Sequence, residues 1–184
     1  MHAYYDTGVL LPLYVQEVFS EPVTNLAESR HEAIPFNLLQ QVEMETAIRL
    51  KLFRGEINRA RVHAIVAARD EDVRGGRLLL CSVDWILALE EARRIGERAT
   101  GQWGCRTLDL LHVAVAVQWR CAAFVTADDR QLKAARSAGL ETVDVRALGR
   151  RERAGGAPTD TQAGTVREKR GRYGSRKKQR PAGA

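Results

Sequence analysis

The chain has 184 residues, of which 45% are hydrophobic and three are cysteines. This length predicts one domain that buries a core without disulfides or structural metals, and the apolar fraction excludes a fully disordered chain. No window approaches about 18 consecutive apolar residues and the N-terminus has no basic region, so we expect neither a transmembrane helix nor a secretory signal. Three cysteines without zinc-ligand spacing are typical of a reduced, cytoplasmic protein.

Positive charge is concentrated at the C-terminal end. Residues 149–184 contain 11 Lys and Arg but only 3 Asp and Glu, a net charge of +8, which leaves 18 basic and 20 acidic residues in residues 1–148. The segment 149–184 also lacks Leu, Ile, Phe, Trp, Met and Cys. We therefore predict a folded domain over 1–148 and a disordered basic tail over 149–184. The run VREKRGRYGSRKKQR is typical of a nucleic-acid-binding arm, but equally of a solubilising extension.

The first half of the domain alternates between strand and helix patterns. In chain order it predicts a strand at HAYY (2–5), a helix over 21–30 capped by Ser20, a strand at IPF (34–36), a helix over 38–53 capped by Asn37, and a helix over 56–71.

The second half continues the alternation. It predicts a strand at RLLLCSV (77–83), a helix over 85–100 capped by Asp84 and closed by Gly101, a helix over 108–119 capped by Thr107, a strand at AAFVTA (122–127), a helix over 129–138 ended by Gly139, and a strand at ETVDV (141–145). Strands separated by helices favour parallel pairing with right-handed crossovers. The sequence thus predicts an α/β fold: a three-layer α/β/α domain around a central, mostly parallel sheet.

Three acidic residues fall where such a sheet places its ligands. Asp6 follows the first strand, Asp109 lies in the first turn of its helix, and Asp128 follows the AAFVTA strand. Ligands of open parallel sheets bind beyond the carboxyl ends of the strands. Carboxylates gathered there repel one another unless a cation joins them, and ligation by oxygen alone suits Mg²⁺ or Mn²⁺.

A fourth acid is expected from the helix over 38–53, which offers Glu43 and Glu45. Residues two apart on a helix lie roughly 200° apart, so only one can face the site. Glu45 has Arg49 at i+4, which predicts a surface ion pair worth a few tenths of a kcal/mol. Glu43 shares its face with Ala47 and Leu50, a stripe predicted to pack against the sheet, and we therefore choose Glu43.

Each acid also has an ordinary structural interpretation. Asp6 can end a strand, Asp109 can interact with a helix dipole, and Asp128 can cap a helix. Asp129 is expected to be a cap or first-turn acid that points elsewhere. His112, three residues after Asp109, is more often a hydrogen-bonded core residue than a ligand, although it could face the same pocket.

The order and context of these acids resemble the PIN-domain nucleases, particularly the VapC-like toxins of bacterial toxin–antitoxin pairs. The matching segments are YYDTGVLLPLYV, QQVEMETAIR, RTLDLLHVAVA and FVTADDRQLKAARSAGL, which together span residues 1 to about 146. The resemblance implies that Asp6, Glu43, Asp109 and Asp128 bind one or two divalent metal ions. It also matches Thr7 and Thr126 to hydroxyl residues beside the first and last acids.

The resemblance further implies a metal-dependent ribonuclease with RNA as substrate and a 5′-phosphate product. It implies a homodimer that is held inactive by a small antitoxin protein. A PIN-domain RNase of RNA processing and a catalytically silent RNA-binding module remain open alternatives. A haloacid-dehalogenase-like phosphatase is excluded, because the acid that it needs two residues after its first Asp is Gly8 here.

Overall fold

Strands and helices alternate along residues 2–149, the part of the chain that the computed structural model describes. The predicted tail beyond Gly149 lies outside these residues. In chain order the elements are β1 (Ala3–Tyr5), α1 (Thr7–Leu10), α2 (Ser20–Arg30), β2 (Ile34–Phe36), α3 (Leu38–Phe53), α4 (Arg59–Arg74), β3 (Leu78–Leu80), α5 (Trp85–Trp103), α6 (Thr107–Gln118), β4 (Ala123–Thr126), α7 (Asp129–Ser137) and β5 (Glu141–Asp144). A 3₁₀ turn, Leu11–Leu13, follows α1, and residues 145–149 are helical.

The strands pair in parallel, as predicted. β4 lies between β1 and β5, and β2 pairs with β3. β1 and β2 lie next to each other without a shared ladder, so the strand layer consists of a three-stranded and a two-stranded sheet side by side. Because all pairings are parallel, the carboxyl ends of β1 and β4 open at the same edge.

Helices cover both faces of this layer, which confirms the predicted α/β architecture. Tyr4 and Phe124, paired in register and stacked 5.4 Å apart, point into a core built with α5, α6 and α7. Their neighbours on the same strands, Tyr5 and Val125 among them, point into a second core that includes Met44 of α3. Alternating side chains buried on both faces are typical of a strand layer between two helical layers.

Several helix ends follow the predicted caps. Asn37 caps α3 in a reciprocal capping box with Gln40, and Asp84 accepts hydrogen bonds from the first turn of α5. Gly139 lies just beyond the end of α7, as predicted, and has a φ of 85°. These short-range signals can be read from the sequence because cap and partner lie within one turn.

Other boundaries differ from the prediction. Ser20 is the first residue of α2 and not its cap, because its hydroxyl donates to Val15 O and accepts from Glu17 N. Thr107 likewise begins α6 after Arg106, whose backbone N–H is bound by the Asp109 carboxylate at 2.9 Å. α5 passes Gly101 and ends only at Gly104, whose φ of 69° closes the helix. α1 has no counterpart in the prediction. No helix among residues 2–149 is both long and apolar enough to cross a bilayer.

Candidate active site

A surface cleft at the carboxyl edge of β1 and β4 contains all four predicted site residues. Its lining comprises the acids Asp6, Glu43, Asp109 and Asp128, together with Thr7, Gly8, Leu108, His112, Ala127 and Gln131. The four acids come from the end of β1, the middle of α3, the first turn of α6 and the junction between β4 and α7. The parallel topology brings them together from positions up to 122 residues apart.

Asp6 is the most buried of these acids, with 6% of its surface exposed. One carboxylate oxygen accepts a 3.1 Å hydrogen bond from Val9 N, which caps α1, and the other accepts the hydroxyl hydrogen bond of Thr126 at the end of β4. Burial raises the pKa of Asp6, and the bond from Thr126 opposes the rise only in part. The backbone at Gly8 is tightly packed here, since a Cβ on Gly8 would lie 3.0 Å from Asp6 Oδ1.

Glu43 ends a chain of polar groups that leads into the core. Its Oε2 accepts from Thr7 Oγ1 at 2.5 Å and lies 2.7 Å from His112 Nε2. His112 Nδ1 lies 2.8 Å from the hydroxyl of Tyr4, which in turn accepts from Asn37 Nδ2 at 3.4 Å. With its proton on Nε2, His112 donates to Glu43, and its Nδ1 accepts from the Tyr4 hydroxyl.

These contacts also control the charge of Glu43. Partial burial raises its pKa, but the hydrogen bond and electrostatic interaction with His112, together with the hydrogen bond from Thr7, outweigh burial, and the pKa is lowered overall. His112 is thus both the buried, hydrogen-bonded residue that the sequence favours and part of the cleft wall. Its role is to hold the Glu43 carboxylate in position.

Glu45 faces away from the cleft, as predicted. It forms the expected 2.9 Å pair with Arg49, but its other oxygen binds Arg69 of α4, also at 2.9 Å, and Arg69 is only 4% exposed. Led by the Arg69 bond, these contacts lower the pKa of Glu45 to about 2. The predicted pair with Arg49 is confirmed, and Glu45 in addition neutralises a buried guanidinium that only the tertiary fold brings to it.

The predicted apolar stripe of α3 also needs correction. Leu50 is 42% exposed, and the buried residues of α3 are Gln40, Met44 and Ile48. Glu43 lies beside this row of buried residues. The predicted stripe of Glu43, Ala47 and Leu50 is therefore not the buried face of α3. Glu43 and not Glu45 lines the cleft, although the apolar stripe from which Glu43 was predicted is not buried as expected.

Asp109 and Asp128 combine their structural roles with a place in the cleft. Asp109 Oδ2 accepts from Arg106 N, and Asp128 Oδ1 caps α7 by accepting from Arg130 N at 2.7 Å. The Arg130 side chain bonds to Asp128 and lowers the pKa of that carboxyl. Asp129 points elsewhere, as predicted, and binds Arg146 at 2.5 Å.

The donor chemistry of the cleft fits a hard divalent cation, since carboxylates from four elements line it and no thiol does. Each carboxylate is, however, held by a protein partner. Within residues 2–149 no group of three or more His, Cys, Asp or Glu side chains is already arranged to hold a metal ion.

Arg130 and Tyr4 do not line the cleft but bind residues that do, and the sequence did not identify either of them. Arg130 could have been found from its place two residues after a capping Asp, where a long cationic side chain can return to the cap. Tyr4 carries no such signal, because its partner His112 is 108 residues away.

Comparison with solved structures supports the fold. The crystal structure of FitAcB from Neisseria gonorrhoeae superposes with a TM-score of 0.53 at 15% sequence identity, covering 78% of this chain and 98% of that chain. No protein-family model matches the chain, and no curated protein matches its sequence. At this identity the likeness shows the fold alone, and it agrees with the PIN-like fold implied by the four sequence segments.

Proposed function

We propose that this protein is a Mg²⁺- or Mn²⁺-dependent endoribonuclease, and that it serves as the toxin of a VapBC-like toxin–antitoxin pair. The observation that carries the proposal is the convergence of Asp6, Glu43, Asp109 and Asp128 on one cleft. The PIN-like fold and the resemblance of the four segments support it. A module that only binds RNA has no reason to gather four carboxylates where a polyanion must approach, which argues against the silent alternative.

Asp6 and Asp109 would be the principal metal ligands, with Glu43 and Asp128 completing the set. A bound divalent ion would lower the pKa of water and neutralise the charge of the substrate phosphate. The chain's own residues hold these ligands in place. Thr126 and the α1 N-terminus orient Asp6, and His112 and Thr7 keep Glu43 ionised at the wall of the cleft.

Substrate binding needs a source of positive charge, because residues 1–148 carry a net charge of −2. The tail, with +8, would supply attraction to the RNA backbone, which depends on salt and not on sequence. This division assigns chemistry to the cleft and affinity in large part to the tail.

The partners in this proposal are a second copy of the chain and a small antitoxin. Light scattering should give a dimer for the wild type. A monomeric wild type would contradict the homodimer.

The function is tested by cleavage of a labelled single-stranded RNA with Mg²⁺, Mn²⁺ or EDTA. Wild type should cleave only with metal, and Asp6→Asn should lose about a hundredfold or more of the rate, because the metal contributes several kcal/mol. Asp129→Asn is the matched control, since Asp129 carries the same charge next to Asp128 but binds Arg146 outside the cleft.

Four results discriminate the alternatives. RNA binding without cleavage by wild type would favour the silent module, and cleavage that persists in EDTA would refute the metal-dependent nuclease. Growth arrest on expression, relieved by the product of an adjacent gene, supports the toxin. Cleavage without growth arrest favours an RNase of RNA processing.

A further inference from the structure

Arg130 connects two of the cleft carboxylates. Its Nη2 lies 2.7 Å from Asp128 Oδ2 and 3.9 Å from Asp109 Oδ2, while its Nε lies 3.2 Å from Asp128 Oδ1. Asp109 and Asp128 belong to different elements, α6 and the β4–α7 junction, and the guanidinium lies against both. The side chain is about one-third exposed (36%), so it can leave this position without unpacking the core.

Other guanidiniums in residues 2–149 also bridge two acids, which shows what is particular to Arg130. Arg146 binds Asp144 at 2.8 Å and Asp129 at 2.5 Å, with the same spacing of two residues from its first acid. The carboxylates bound by Arg146 do not line the acidic cleft, whereas both carboxylates of Arg130 do. Arg146 is therefore a matched control: it bridges two carboxylates as Arg130 does, but those carboxylates lie outside the cleft.

The two carboxylates against which Arg130 lies belong to the set of four that would hold a divalent ion in the cleft. Asp128 Oδ2 accepts a bond from the guanidinium, and a carboxylate oxygen that also neutralises a cation at 2.7 Å is a weaker ligand for a second cation. The guanidinium carries its charge at any accessible pH, so the position is released by movement and not by deprotonation.

We infer that Arg130 is an internal competitor of the metal ion, which must withdraw its guanidinium from Asp109 and Asp128 before both can bind the ion. Arg130 thereby sets the metal affinity of the cleft. This inference rests on the proposed metal-dependent function and deepens it by naming the residue that determines metal occupancy.

The experiment is a calorimetric titration of the full-length, EDTA-stripped protein with Mn²⁺, in wild type, Arg130→Gln and Arg146→Gln. Gln retains the backbone N–H that donates to Asp128 Oδ1, so α7 keeps its N-terminal capping bond. Arg130→Gln should bind Mn²⁺ about tenfold more tightly than wild type, equivalent to about 1.4 kcal/mol. Arg146→Gln should bind like wild type, although it loses the same unit of charge.

The outcomes separate this inference from the function on which it rests. Equal affinity in wild type and Arg130→Gln overturns the role of Arg130 and leaves the metal site standing. Equal tightening in both variants also overturns it, because net charge would then be the cause. If Arg130→Gln binds Mn²⁺ and neither wild type nor Arg146→Gln does, the result supports the competition between Arg130 and the metal ion in its strongest form. Absence of binding in all three proteins overturns the metal-dependent function and this inference together.

Discussion

Glu43→Gln and Glu45→Gln remove one charge each from neighbouring positions of α3 and should produce opposite phenotypes. Glu43 lines the cleft and is positioned by His112 and Thr7. Glu45 points to α4 and binds Arg69, which is almost completely buried. We expect Glu43→Gln to abolish or severely reduce RNA cleavage with little loss of stability. Glu45→Gln should lose stability and keep its activity.

The stability effect of Glu45→Gln follows from the pKa of Glu45. A shift from 4.5 to about 2 corresponds to about 3 kcal/mol at most. The Glu45 side chain is 24% exposed. Solvent screening therefore reduces the expected loss to about 1–2 kcal/mol at pH 7. The loss of stability still exceeds that of a surface pair, because the buried Arg69 guanidinium then keeps Asp70 as an acidic partner but loses Glu45.

The same shift gives the sign of the pH dependence. Glu45 has a lower pKa in the folded protein than in the unfolded chain, so its contribution is present above pH 4.5 and is lost as the pH falls through about 2. Urea denaturation of wild type and Glu45→Gln should show a gap in the free energy of unfolding at pH 7 that narrows as the pH approaches 3.

Two results would refute this reasoning. If Glu45→Gln loses RNA cleavage while Glu43→Gln retains it, the roles of the two acids are exchanged. If the free energy of unfolding of Glu45→Gln equals that of wild type at pH 7, the bond to Arg69 contributes no net stability. Arg49→Gln is the matched control, since it removes only the exposed partner of Glu45.

Three further predictions concern the metal, the core relay and the tail. Millimolar Mn²⁺ should raise the melting temperature of wild type but not of the double variant Asp6→Asn/Asp109→Asn; equal shifts would disprove a shared site, and without metal the variant should melt higher at pH 7, because burial disfavours the ionised Asp6. His112→Leu should leave the Tyr4 hydroxyl buried without its acceptor, lower the free energy of unfolding by about 1–3 kcal/mol, and reduce kcat by freeing Glu43; unchanged kcat at saturating RNA would remove His112 from the positioning of Glu43. Truncation after Gly149 should leave kcat unchanged, raise KM and flatten the salt dependence of RNA binding; loss of kcat would place part of the tail in the active site.

The sequence determined the order and type of most of the elements because the signals involved are local. Asn37 with Gln40 marks the start of α3, and Gly139 marks the end of α7, through bonds or dihedral angles within one turn. Apolar β-branched runs between helices imply buried parallel strands, and parallel strands imply a common carboxyl edge. This reasoning was sufficient to predict that Asp6, Asp109 and Asp128 lie together at the cleft, whereas the helix-face argument that selected Glu43 does not match the buried row of α3.

The tertiary structure decided what each acid is bonded to. Glu45 and Arg69 are 24 residues apart, Tyr4 and His112 are 108 apart, and Asp6 and Thr126 are 120 apart. No periodicity or cap signal extends over such separations, because these contacts depend on how the helices pack on the strand layer. Whether a carboxylate is a buried counter-ion, as Glu45 is, or a cleft residue, as Glu43 is, therefore depends on the azimuth of α3 against α4 and β1, which packing alone sets.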